Sequence, residues 1–89
     1  MRRVERSTRF ERSYQKLSPF IKKDFQKKIA LFLTDNFVAS LGTHKLHGGD
    51  YYAFELRDGF RVFFIFEGDT IVLVNVGPHD MYRRLSVFS

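Results

Sequence analysis

Residues 51–78 read YYAFELRDGFRVFFIFEGDTIVLVNVGP, and the fold turns on this stretch. Three β-branched and aromatic runs, Tyr51 to Arg57, Phe60 to Glu67 and Thr70 to Val76, are separated by Asp58-Gly59 and Gly68-Asp69. Both separators accept the positive φ that tight hairpins demand, so the runs predict three consecutive antiparallel strands. Gly77-Pro78 stops the third. In the middle run Phe60, Val62, Phe64 and Phe66 alternate onto one face, while Phe63 and Ile65 fall on the other. Both faces are therefore apolar and both need cover. Helices account for one; for the other the candidates are the C-terminal Leu85, Val87 and Phe88 or a separate partner.

Toward the N-terminus, residues 37–50 show no sustained period and are punctuated by Gly42, Gly48 and Gly49, which predicts a loop. Before it, Ser18-Pro19 supplies a cap and a first-turn proline for a helix whose apolar stripe is Ile21, Phe25, Ile29, Phe32 and Leu33, ending near Asp35-Asn36. Arg9 to Leu17 carries Phe10, Tyr14 and Leu17 at i, i+4 and i+7, a short amphipathic helix. Arg3 to Thr8 alternates weakly as an edge strand, and Asp80 to Leu85 fits a terminal helical turn. The order β-α-α-β-β-β predicts an α+β fold, a small curved antiparallel sheet with two helices packed on one face, as a single domain over residues 1–89.

Composition narrows the class. With 89 residues, no cysteine and a formal net charge of +5, a disulfide scaffold, a cysteine-ligated zinc site and an iron–sulfur cluster are excluded. The longest uncharged apolar run, Thr70 to Pro78, is too short to span a bilayer. Met1-Arg2-Arg3 leads into more charge rather than a signal segment. These features predict a cytoplasmic protein with no membrane partner. Charge is uneven: residues 1–47 hold eleven Lys/Arg against four acids, and residues 48–89 hold four against six. A basic half suits a polyanion, nucleic acid first, and solvated helix faces account for the same charges.

Hairpin counting gathers polar groups at one rim. A two-residue turn at Gly68-Asp69 pairs Glu67 with Thr70 and sets Arg61 opposite Val76. At the first hairpin, a two-residue turn puts Arg61 opposite Leu56, whereas a three-residue loop with left-handed Gly59 puts it opposite Glu55. We take the second register because it sets opposite charges side by side. His79 lies three residues beyond Val76, and His44, Lys45 and His47 precede the first strand closely enough to reach the same rim. Histidines around an arginine suit metal-independent RNA cleavage: one base, one acid, and a cation for the phosphate. An ordinary surface role for each histidine, and a cross-strand ion pair for Arg61 with Glu55, are the alternatives. No His-x-His or His-Glu-x-x-His spacing is present, so we expect no metal and no cofactor.

Five stretches together resemble a known family: Phe10-Glu11-Arg12-Ser13-Tyr14-Gln15-Lys16-Leu17, His44-Lys45-Leu46-His47-Gly48, Phe54-Glu55-Leu56-Arg57, Phe60-Arg61-Val62-Phe63-Phe64, and Val76-Gly77-Pro78-His79-Asp80-Met81-Tyr82. In this order they are similar to the RelE/ParE superfamily of toxin–antitoxin toxins, and the match covers nearly the whole chain. The resemblance implies a toxin that cleaves messenger RNA in the ribosomal A site and is neutralised by a cognate antitoxin, with oligomers formed through that antitoxin. It implies catalytic roles for Arg61 on the scissile phosphate, His79 as acid, His44 as base, and Tyr82. The RNA-binding residues expected beside them are Lys22, Lys23, Lys27, Lys45, His47, Arg57 and Arg83. RelE itself carries lysines where this chain has Ala53 and Glu55, so a lysine-based mechanism does not transfer. A ParE-like gyrase inhibitor and a non-catalytic antitoxin-binding module are the alternative functions.

Overall fold

The computed structural model describes residues 3–46 and 49–80. Strand β1 spans Arg3–Arg6, helix α1 Thr8–Gln15 and helix α2 Pro19–Thr34. A single 3-10 turn at Ala39–Leu41 leads to a two-residue strand β2, His44–Lys45, and then come β3 (Tyr52–Glu55), a second 3-10 turn (Arg57–Gly59), β4 (Phe60–Glu67) and β5 (Thr70–Pro78).

Local chemistry sets the helix ends. The Ser7 hydroxyl accepts the Phe10 N–H at 3.0 Å and starts α1, and the Ser18 hydroxyl accepts the Ile21 N–H at 3.3 Å one turn into α2, each satisfying a donor that has no partner within its helix. At the far end of α2, the Asn36 side-chain amide donates to the Phe32 carbonyl at 2.8 Å and an Asp35 carboxylate oxygen accepts the Phe37 N–H at 3.0 Å.

The helices cover the face of the sheet formed by Phe54, Val62, Phe64, Leu73 and Val76. Phe10, Phe25 and Phe32 insert from α1 and α2; Phe32 stacks on Phe54 with centroids 4.8 Å apart and meets Phe64 edge-on at 4.9 Å, distances typical of favourable aromatic pairs. Ile21 and Ile29 join this core as expected, but Leu33 does not. It lies about 100° around the helix from Phe32, and the residue is 53% exposed. On the opposite face Phe63 and Ala53 are buried; Leu85, Val87, Phe88 and most of the expected terminal helical turn lie outside the described residues.

The sheet order is β1-β5-β4-β3-β2, and three features correct the sequence reading. The sheet is mixed, not wholly antiparallel, because β1 joins the free edge of β5 in parallel, Arg3 beside Thr70 through Arg6 beside Leu73. The loop before β3 is not featureless: His44 and Lys45 pair with Ala53 and Tyr52, trimming an edge that would otherwise stay open. Finally, Phe63 pairs with Asn75 but Phe64 pairs with Leu73, so Val74 is an extra residue in β5. That β-bulge displaces the register, and Arg61 faces Gly77 rather than Val76. Helix α1 anchors the bulge, with the Ser7 hydroxyl donating to the Val74 carbonyl at 3.0 Å and the Ser13 hydroxyl to the buried Asn75 side-chain oxygen at 2.6 Å.

Candidate active site and basic cleft

The three-residue β3–β4 loop produces the expected pairing of Glu55 with Arg61. Asp58 and Gly59 both take positive φ, 58° and 76°, and the Leu56 N–H donates to the Phe60 carbonyl at 2.7 Å to close the loop. Because Val62 and Phe64 point to the helices, Arg61 projects from the other face of the sheet. Its Nε donates to a Glu55 carboxylate oxygen at 2.8 Å. One edge of the guanidinium is thus fixed by a charge-assisted bond. Both side chains are partly exposed.

His44 reaches the same carboxylate from β2. Its Nδ1 lies 3.9 Å from the Glu55 oxygen and 2.9 Å from the Gly42 carbonyl. A carbonyl only accepts, so Nδ1 carries the hydrogen, and in the neutral ring Nε2 is left as the basic nitrogen. Gly42 makes this approach possible. It sits at φ +62°, and a Cβ there would come within 3.1 Å of the Glu55 Cγ. His79 follows the end of β5, two residues past Gly77, and its Nδ1 would lie 3.3 Å from a Cβ on Gly59. It packs beside the loop that follows Glu55. The structure therefore brings His44, Glu55 and Arg61 into one cluster and puts His79 at the same end of the sheet. His47, Tyr82 and Arg83 lie outside the described residues. Among the described residues no three His, Asp or Glu gather as a metal-binding group.

The expected RNA-binding lysines divide. Lys22 sits over the Tyr14 ring, 5.7 Å from its centroid. Lys23 and Lys27, one turn apart on α2, line an open cleft of about 370 Å³ with Phe20, Asp24 and Arg57. Lys45 lies opposite Tyr52 on the edge strand. Sequence reasoning passed over Asp24, Lys28 and Phe20. The Lys28 ammonium donates to Asp24 at 3.1 Å and to the Glu55 carbonyl at 3.5 Å, and Asp24 accepts the Arg57 backbone N–H at 2.9 Å. Burial raises the Asp24 pKa, but the Arg57 N–H and the charges of Lys28 and Arg57 outweigh it, so the carboxyl is held below its ordinary value. The i, i+4 spacing of Asp24 and Lys28 was a readable signal. The bond to Arg57, 33 residues away, left none.

No family model matches the chain, and no curated protein sequence does. Solved structures do. The chain is similar to E. coli toxin RelE in the free state, studied as an arginine-to-alanine double mutant, with TM-score 0.73, 19% identity, and 98% of this chain and 93% of that one covered. It is also similar to the RelB-RelE antitoxin-toxin complex of Methanococcus jannaschii, at TM-score 0.70, 19% identity, and 90% and 95% coverage. The E. coli DinJ-YafQ complex matches at TM-score 0.65, 14% identity, and 89% and 94% coverage. The chain has the RelE-type toxin fold.

Proposed function

We propose that a chain with this fold, residues 1–89 acting as one domain, is the toxin of a toxin–antitoxin pair that cuts messenger RNA on the ribosome in the cytoplasm, without a metal ion. The observation that carries this reading is the cluster of Arg61, Glu55 and His44 with His79 at the same end of the sheet. An antitoxin partner is supported by the neighbours solved as antitoxin-toxin complexes.

In this reading each residue of the cluster has one step. The His44 Nε2 takes the proton of a ribose 2′-hydroxyl, whose oxygen attacks the adjacent phosphorus. The Nη groups of Arg61, oriented by Glu55, meet the charge that builds on the phosphate oxygens. His79 gives a proton to the departing 5′-oxygen, leaving a 2′,3′-cyclic phosphate. Glu55 stands where RelE has a lysine, and it acts here by positioning the guanidinium and keeping His44 close.

Single-turnover cleavage of ribosome-bound messenger RNA tests the assignment. His44→Gln and His79→Gln should each slow cleavage by roughly 10²–10⁴-fold, each removing one limb of the pH–rate profile. Arg61→Lys, which keeps the charge but loses the fork, should fall substantially while remaining folded by circular dichroism. Chelator should leave the rate unchanged. Parental rates in both folded histidine variants would defeat the mechanism and turn attention to Tyr82, Glu55 and Lys45.

A further inference from the structure

We infer that Phe20, Lys23, Lys27 and Arg57 form a subsite for one unpaired nucleotide of single-stranded RNA, its base stacked on Phe20 and its phosphates held by the three cations. This inference rests on the proposed RNA-cleaving function, and it adds a binding site on the helix side of the hairpin, away from the face that carries Arg61.

Phe20 is 72% exposed. It lies in the first turn of α2 beside Ile21, which is buried and reaches the core as Phe20 does not. Leu31, Leu33 and Phe37 are the other large exposed apolar side chains described, but only Phe20 borders the cationic cleft. The cleft's one carboxylate, Asp24, is turned to Lys28 and the Arg57 N–H, so it does not neutralise Lys23 or Lys27. Arg57 makes a surface ion pair with Asp58, 3.4 Å between Nε and Oδ2 with both side chains more than half exposed, a pairing weak enough to yield to a phosphate. A π-face beside three cations fits nucleic acid better than an acidic peptide, which would use the charges and have no need of the ring. Single strands fit better than duplex, because only an unpaired base offers its face for stacking. Arg57 lies two residues after Glu55, so a strand threaded past Arg61 reaches the cleft by rounding the 57–59 turn.

The probe is a short 2′-O-methyl RNA bearing one 2-aminopurine, which cannot be cut and whose fluorescence is quenched on stacking. Phe20→Ala and Phe20→Leu should abolish the quench and weaken binding by about 10- to 100-fold with an unchanged salt slope, and Phe20→Tyr should restore both. Replacing Lys23 and Lys27 with glutamine should instead flatten the slope of log K against log salt by roughly 0.7 for each phosphate no longer neutralised. The leucine variant keeps apolar bulk, so folding and stacking separate even if alanine perturbs the helix. Parental affinity and quench in Phe20→Leu, equal affinity for duplex of the same sequence, or Phe20-dependent binding of polyglutamate in place of RNA would each overturn the subsite. Binding is read without cleavage. Loss of the nuclease reading with retained quench, or the reverse, therefore shows which of the two has failed.

Discussion

Gly42 fixes the candidate base without taking part in any chemistry. Its carbonyl accepts the His44 Nδ1–H, its φ is left-handed, and a methyl group on it would press on the Glu55 Cγ. Gly68, at φ +60° with open space around it, has the same backbone demand and no neighbour. Gly42→Ala and Gly68→Ala should both lose about 1–2 kcal/mol in urea unfolding, and only Gly42→Ala should lower cleavage per folded molecule. Equal cleavage in the two would mean that the approach to Glu55 does not govern His44. The Glu55–Arg61 pair was legible at this scale because opposite charges choose one of two registers. The His44 tautomer was not, since it depends on a carbonyl direction that no residue type encodes.

Helix α2 is tied to the β3–β4 turn by one carboxylate. Asp24 has a folded pKa below its ordinary 3.8, so the native state holds its proton less readily than the unfolded chain does. Its contribution is complete at pH values above that ordinary value and is lost as the pH falls through the lower folded one. Asp24→Ala should cost about 1–3 kcal/mol near pH 7, and the gap from the parent should narrow in urea melts run at progressively lower pH below 4. A gap independent of pH would assign the loss to packing alone. The elements themselves were readable where their signals are local: the Ser18-Pro19 start, the hydrophobic period of α2, and the two turns that bound β4. The bulge at Val74 was not, because it is held by Ser7 and Ser13, 67 and 62 residues away from the groups they bond, and the parallel seat of β1 depends on the same distant edge.

At the scale of the whole molecule, the proposed ribosomal target and the alternative gyrase target are distinguished by the order in which cellular syntheses stop. Expression without an antitoxin should depress protein synthesis before DNA synthesis in pulse labelling, because the Arg61 cluster and the Lys23–Lys27 cleft are both suited to RNA. DNA synthesis stopping first would favour the ParE-like alternative. The parallel pairing of β1 with β5 also bears on how the chain comes to be active. Arg3 to Arg6 find their partners only at Thr70 to Leu73, and pairings this distant in sequence slow folding toward the millisecond-to-second range of proteins dominated by non-local structure. Arg61 sits on β4, which is flanked by β3 and β5, and His79 follows β5. A nascent chain lacks this assembly until β5 has been synthesised and docked. Under the proposed function, a chain whose β5 is still unmade is inert toward RNA, and topology alone delays the activity until the sheet has closed around β4.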